Sequence, residues 1–168
     1  KGIMDLPDIM ARARKSLPEL KLVIAGSGPA EEELKMLLPD ARFMGWIDKE
    51  TLAGLYAGLD LFVFPSRFDT FGNVLLEAFA HGMPAIAYDC KGPRDIIEHE
   101  VSGYLVGDPR EMAAQIVAHY GWPDTRSAMR SAALARAAHY SAERIMTQYV
   151  QDLGLPAPSV NHEHRSVA

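Results

Sequence analysis

Pro65-Ser66-Arg67-Phe68-Asp69-Thr70-Phe71-Gly72-Asn73-Val74-Leu75-Leu76-Glu77-Ala78-Phe79-Ala80-His81-Gly82-Met83-Pro84 is the stretch that decides the fold. An apolar run at residues 59–64 precedes it, and a second run at residues 85–88 follows it. The order is therefore strand, loop, helix, strand: a βαβ unit. Residues 67–72 form the loop at the carboxyl end of the first strand, where open α/β sheets bind their ligands. Gly72 gives the backbone freedom for a tight entry into the helix, and Thr70 is the candidate N-cap. Asn73, Val74 and Leu75 fill the first helical turn, and none is acidic. The free N–H groups of that turn and the positive end of the helix dipole are thus open to an anion such as phosphate. Asp69 stands just before this end and Glu77 one turn inside it. Carboxylates make poor phosphate ligands but good acceptors for sugar hydroxyls flanking a phosphate. The implied ligand is a nucleotide carrying a sugar.

With 168 residues and 48% hydrophobic content, the chain can bury a full core and reads as one domain. A net charge of -5, with no face that concentrates Lys and Arg, argues against a nucleic-acid groove. The single cysteine, Cys90, cannot form an internal disulfide and fits a reducing compartment. No histidine or aspartate at motif spacing marks it as a nucleophile, so it reads as an ordinary thiol. No apolar run approaches the roughly 20 residues that span a bilayer, and no signal-peptide pattern opens the chain. The expected location is the cytoplasm, with a membrane surface open as an alternative for a larger parent enzyme.

In chain order, residues 3–16 read as a helix ended by Pro18, with Leu6, Ile9, Met10, Ala13 and Leu17 on one face. An α/β domain that opens on a helix looks as if it has lost its first strand. Residues 20–25 read as a buried parallel strand. Gly26-Ser27-Gly28-Pro29 follows, then a helix through Leu38. The third glycine of a dinucleotide fingerprint falls at Glu31, and Glu31, Glu32 and Glu33 would repel a diphosphate there. The Gly26 to Gly28 turn is left to provide close backbone approach to the ligand. Residues 41–44 read as a short strand, Gly45-Trp46-Ile47 as a turn, and Asp48 as the cap of the next helix. Trp46 either stacks on a base or packs at the domain edge. Asp60 starts the central strand. Lys91 and Arg94 read as solvated loop charges before a short helix, and residues 102–106 as a final strand. Asp108-Pro109 opens a helix. Further on, Met112, Ile116 and Val117 mark one apolar face, Leu134 and Ala138 another, and Ile145, Tyr149 and Leu153 a third. The domain is taken as 1–153, with 154–168 an aperiodic tail expected to be disordered. His162 and His164 in that tail are set aside as metal ligands.

Asp69-Thr70-Phe71-Gly72, then Leu76-Glu77-Ala78 and Gly82-Met83-Pro84, resembles the signature of group 1 retaining glycosyltransferases of the two-domain GT-B fold. Their frame is similar to E-G-F-G-x-x-x-L-E-A-x-A-x-G-x-P, and this chain has Asp69 where Glu is usual. At residues 91–95 the family often has Gly-Gly-x-Pro-Glu, from which Lys91, Pro93 and Arg94 depart. The resemblance covers residues 1–153. It implies an α/β, Rossmann-like parallel sheet flanked by helices, one half of a GT-B fold, preceded by an acceptor domain.

The resemblance also implies roles. Lys1-Gly2 is similar to the family's pair at the first helix, and Lys1 would help neutralise the donor pyrophosphate. Gly26 and Gly28 would line the donor cleft, and the backbone after Gly45, with Trp46, would meet the base. The N–H groups of Gly72, Asn73 and Val74 are the candidates to hold the diphosphate, and Thr70 and Phe71 are further candidate donor-binding residues. Glu77 would accept from the ribose hydroxyls and Asp69 from the transferred sugar. No cofactor or metal is expected, because dipoles and a lysine take that part. A fragment without its acceptor domain should bind donor weakly and transfer nothing. The alternatives are a non-catalytic nucleotide-binding module, or another GT-B enzyme such as a sugar-nucleotide epimerase or a phosphorylase.

Overall fold

A computed structural model describes residues 2–141 together with Arg144, Thr147 and Asp152. Lys1, the expected face of Ile145, Tyr149 and Leu153, and the tail at 154–168 lie outside the described residues.

A single 3-10 turn, Ile3–Asp5, leads into α1 (Leu6–Ala13), whose apolar stripe of Leu6, Ile9, Met10 and Ala13 is buried as the spacing requires. The helix is shorter than the residues 3–16 expected from periodicity. Turn-type bonds from Lys15 and Ser16 back to Arg12 and Ala13 unwind its end before Pro18. Next come β1 (Val23–Ala25), α2 (Glu31–Leu37), β2 (Arg42–Gly45) and α3 (Lys49–Gly58). The organising stretch is β3 (Phe62–Phe64), α4 (Asn73–Ala80) and β4 (Ala85–Tyr88), the βαβ unit that the sequence specifies. The short α5 (Pro93–Ile96), β5 (Gly103–Val106), α6 (Pro109–Gly121) and α7 (Pro123–His139) complete the described order.

All strand pairs are parallel, but they fall into two sheets, β1-β2 and β3-β4-β5. One face is covered by α1, α2 and α6. Ile9 and Ala13 pack with Ile86, Val106 and Met112, while Leu6 and Met10 meet Leu34 and Leu38 of α2. The opposite face is covered by α3, α4, α5 and α7, with Leu75, Phe79, Ile96 and Ala133 in one cluster and Tyr56, Ala78 and Met83 in another. Helix α1 thus bridges the two sheets on its side.

Three expectations are corrected. Residues 20–25 were expected as one buried strand; β1 keeps three residues, none of them fully buried, because no strand covers its second edge. Asp60 does not start β3, which begins at Phe62; its carboxylate instead accepts a long bond of 3.5 Å from the Tyr120 hydroxyl. On α7 the buried residues are Met129, which joins the cluster of α1 and α6, and Ala133, which joins that of α4, while Leu134 is 49% exposed.

Candidate functional site

Parallel strands put all their carboxyl ends on one edge, so the turns after β1, β2 and β3 and the amino end of α4 share that edge. Gly26 and Gly45, both at positive φ, meet there: the Gly26 N–H donates to the Gly45 carbonyl at 2.7 Å. Beyond Gly28, Glu31 and Glu32 of α2 bind Lys35 at 2.9 and 2.8 Å. That helix end carries three acidic side chains in its first turn and no side-chain cap.

At α4 the opposite holds. Gly72 takes the left-handed conformation (φ 90°) and is itself the N-cap, without a capping side chain and with no acid in the first turn. Thr70 is therefore not the cap: Asp69 closes the turn instead, its Oδ1 accepting the Phe71 N–H at 3.1 Å. The loop is braced from beneath by Gly92. A Cβ there would lie 3.0 Å from the Asp69 carbonyl and 3.1 Å from that of Phe71. Phe71 packs edge-on to Tyr140 at 5.9 Å, whereas Phe68 stands out, 77% exposed. Asn73 and Val74 open the helix, and their N–H groups have no partner among the described residues. The Leu75 N–H, expected to be free with them, instead donates to the Gly72 carbonyl at 2.8 Å.

Glu77 makes no ion pair among the described residues. His81, its i+4 neighbour, bonds the Glu77 main-chain carbonyl at 2.8 Å and leaves the carboxylate alone. That carboxylate lies beside Tyr56, whose hydroxyl is pushed up to about 12, first by burial and then by the Glu77 charge. An apolar cleft of about 790 Å³ brings Glu77 and Val74 together with Gly26 and Trp46. Trp46 is 88% exposed, so the described residues cover little of its ring. Gly28, Asp69, Thr70, Phe71, Gly72 and Asn73 do not line this cleft. Cys90 stays an ordinary thiol: its Sγ–H points to the Ser66 carbonyl at 3.5 Å, and burial pushes its pKa up.

One constellation escaped the sequence. The Asp5 Oδ2 accepts from Arg67 Nη2 at 2.8 Å, Arg67 Nε at 3.1 Å and Tyr88 Oη at 2.7 Å. The Arg67 guanidinium also lies 4.6 Å from the Tyr88 ring centroid. Burial and the bond to Asp5 push the Tyr88 hydroxyl well above its ordinary value. This cluster ties the start of the loop after β3 to the 3-10 turn ahead of α1 and to β4. Its members are far apart in sequence, and no local pattern marks them.

The family profile described as "Glycosyl transferases group 1" matches residues 1–121. The chain belongs to the group 1 glycosyl transferases. A GDP-mannose-dependent alpha-mannosyltransferase of Corynebacterium glutamicum is 41% identical over 106 residues, 63% of this chain and 24% of that protein. A D-inositol 3-phosphate glycosyltransferase of Thermobispora bispora is 34% identical over 172 residues, 88% of this chain and 40% of that protein. Among solved structures, the pneumococcal O-GlcNAc transferase GtfA, in complex with UDP and GlcNAc, superimposes with a TM-score of 0.79 at 25% identity, over 92% of this chain and 33% of that one. A sucrose-phosphate synthase from Thermosynechococcus elongatus gives 0.76 at 30% identity, over 92% of this chain and 42% of that one. This group 1 chain therefore spans less than half of these relatives. Its parallel sheets flanked by helices match the domains of GT-B glycosyltransferases.

Proposed function

We propose that this chain is the donor-binding domain of a retaining glycosyltransferase. It takes a sugar from a nucleotide diphosphate sugar, UDP- or GDP-linked, for transfer to an acceptor in glycan or glycoconjugate synthesis. One observation carries the reading: Asp69 and Glu77, neither in an ion pair among the described residues, stand on either side of an acid-free helix end at the carboxyl edge of the sheet. The diphosphate docks on the N–H groups of residues 72–74, whose fixed dipoles stabilise the charge that develops on the leaving group. Lys1 adds a cation, and no metal is needed. Glu77 accepts from the ribose hydroxyls. Asp69, with one oxygen committed to Phe71, offers the other to the transferred sugar. Trp46 and the Gly26 turn receive the base. The relatives support both donor classes, one being named for GDP-mannose and another bound to UDP. The partner in transfer is an acceptor domain of the same enzyme, and the isolated chain is expected to show no turnover. A reducing, cytoplasmic setting suits the lone Cys90.

Calorimetric titration with UDP- and GDP-sugars tests the reading. Glu77→Ala and Asp69→Ala should each lose about 1–3 kcal/mol of binding, the cost of an unmade hydrogen bond to a ligand. Unchanged affinity in both variants would overturn the assignment, and so would strict dependence of binding on Mn²⁺.

A further inference from the structure

The two ends of the proposed donor site are held by different means. Gly72 caps, and Asn73 and Val74 open, a helix whose Leu75 and Phe79 are fully buried, so the N–H groups there are rigidly placed. Asp69 stands in a loop instead. Among the described residues, the main chain of residues 66–71 shares no hydrogen bond with the main chain of any other element. We propose that Arg67 is the positioning residue for the sugar end of the site, fixing Asp69 against the sheet through Asp5 and Tyr88. The proposal rests on the donor reading above, in which Asp69 takes the transferred sugar, and adds to it a residue that touches no ligand.

Bonds local to the loop give it shape but not place. The Ser66 hydroxyl donates to the Phe68 carbonyl at 2.9 Å and the Phe71 N–H to Asp69 at 3.1 Å. Each spans two residues, so both would survive a swing of the whole segment. Contacts to neighbouring loops are weaker. The Cys90 thiol, a poor donor, lies 3.5 Å from the Ser66 carbonyl, while Gly92 and Tyr140 pack beside Asp69 and Phe71 without a hydrogen bond to either.

Arg67, two residues before Asp69, is tied at long range. Its Nη2 and Nε donate to one oxygen of Asp5, 62 residues away, and its guanidinium lies over the Tyr88 ring. Both supports are fixed. Tyr88 is 4% exposed, ends the central strand of its sheet and donates to the same Asp5 oxygen. Asp5 sits in a turn pressed so close to the loop that a Cβ on Gly2 would collide with the Pro65 carbonyl. An isolated surface ion pair contributes little, as the Arg12 and Asp8 pair on α1 illustrates with both side chains about half exposed. At Asp5 three donors converge on a carboxylate only 25% exposed, against a buried ring, and the geometry is over-determined. The two ends of the site are thereby separable: free nucleotide depends on the α4 terminus, and the sugar depends on Arg67 as well.

The test compares Arg67→Met, Arg67→Lys and Tyr88→Phe with the parent chain and with Arg12→Met, which breaks the α1 pair as a control. Backbone amide relaxation by NMR reads the loop without ligand. Calorimetry reads UDP against UDP-glucose and GDP against GDP-mannose, on whichever pair the parent binds. In Arg67→Met the order parameters of residues 68–71 should fall from about 0.85 toward about 0.6. The sugar nucleotide should lose about tenfold in affinity, because a loosened loop has to be ordered on binding, while the free nucleotide binds as before. Arg67→Lys and Tyr88→Phe, each keeping part of the cluster, should fall between, and Arg12→Met should match the parent. Unchanged order parameters in Arg67→Met would overturn the proposal. So would an equal loss for free and sugar-linked nucleotide, which would make the guanidinium a diphosphate ligand. A parent chain that binds neither form would overturn the donor reading and this proposal together, whereas binding in the parent with an unaltered loop in Arg67→Met overturns this proposal alone.

Discussion

Asp69 and Glu77 differ in what their oxygens already hold, and this difference separates two kinds of substitution. The Asp69 Oδ1 keeps the loop closed through Phe71, whereas the Glu77 carboxylate holds no backbone group among the described residues. Asp69→Asn retains an acceptor for the Phe71 N–H and removes only the charge. Asp69→Ala removes both and should cost about 0.5–1.5 kcal/mol of folding stability. Glu77→Gln should leave stability unchanged and act on ligand affinity alone. Chemical denaturation of the three variants checks this ordering; a stability loss in Glu77→Gln as large as that in Asp69→Ala would contradict it. The motif made both carboxylates legible in the sequence, because spacing from a glycine-entered helix is a local property. Which of them also shapes the loop was not legible. That depends on whether Thr70 or Asp69 closes the turn, and both residues are competent to do so.

Helix termini show where local chemistry decides an element and where it does not. Asp48 accepts the Thr51 N–H at 2.7 Å at the start of α3, and Asp108 accepts the Glu111 N–H at 2.8 Å at the start of α6. Both caps were legible because an aspartate before a helical pattern has one dominant use. At α4 a bare glycine is the N-cap, with no capping side chain and no acid in the first turn. Gly72→Ala should cost about 1–2 kcal/mol, the penalty of the left-handed conformation for a residue with a Cβ. Its new methyl would also meet Leu75 Cδ1 at 3.0 Å. Asp108→Ala should cost a similar amount, about 0.5–2 kcal/mol, through the lost cap. The two are distinguished by nucleotide titration, which should weaken in Gly72→Ala and stay unchanged in Asp108→Ala. Equal donor affinity in Gly72→Ala and the parent chain would detach the α4 terminus from the binding site. The Asp5, Arg67 and Tyr88 cluster was illegible at this scale, because it joins three elements whose proximity only the fold creates.

Across the molecule, α1 and α6 lie over one face of the sheets, and the residue of that layer most sensitive to pH is His119. Only 1% of it is exposed; Nδ1 lies 3.3 Å from the Tyr104 hydroxyl, while Tyr120, Arg126 and Asp60 are its other polar or charged neighbours. Burial, with the Arg126 charge behind it, lowers its pKa against a smaller opposing effect of Asp60. The sequence marked Met112, Ile116 and Val117 as this helix's apolar face but gave no sign that His119 joins them, since a lone histidine carries no periodic signal. Its consequence for stability has a definite sign. Above the ordinary histidine value of about 6.5, both folded and unfolded chains hold a neutral ring, and nothing changes with pH. As pH falls below that value the unfolded chain takes up a proton that the folded chain resists, so stability declines toward the lowered folded pKa, by at most about 1.4 kcal/mol per pH unit. Asp48 and Asp89, held low by the Thr51 N–H and by Arg94, lose their contributions only at more acid pH, as they protonate through values below the ordinary carboxylate range. Acid unfolding should therefore begin with a histidine phase and end with a carboxylate phase. His119→Phe should abolish the first and leave the second, and denaturant midpoints measured across the pH range would read both. A slope between about pH 6.5 and 5 that survives in His119→Phe would assign the first phase to another group.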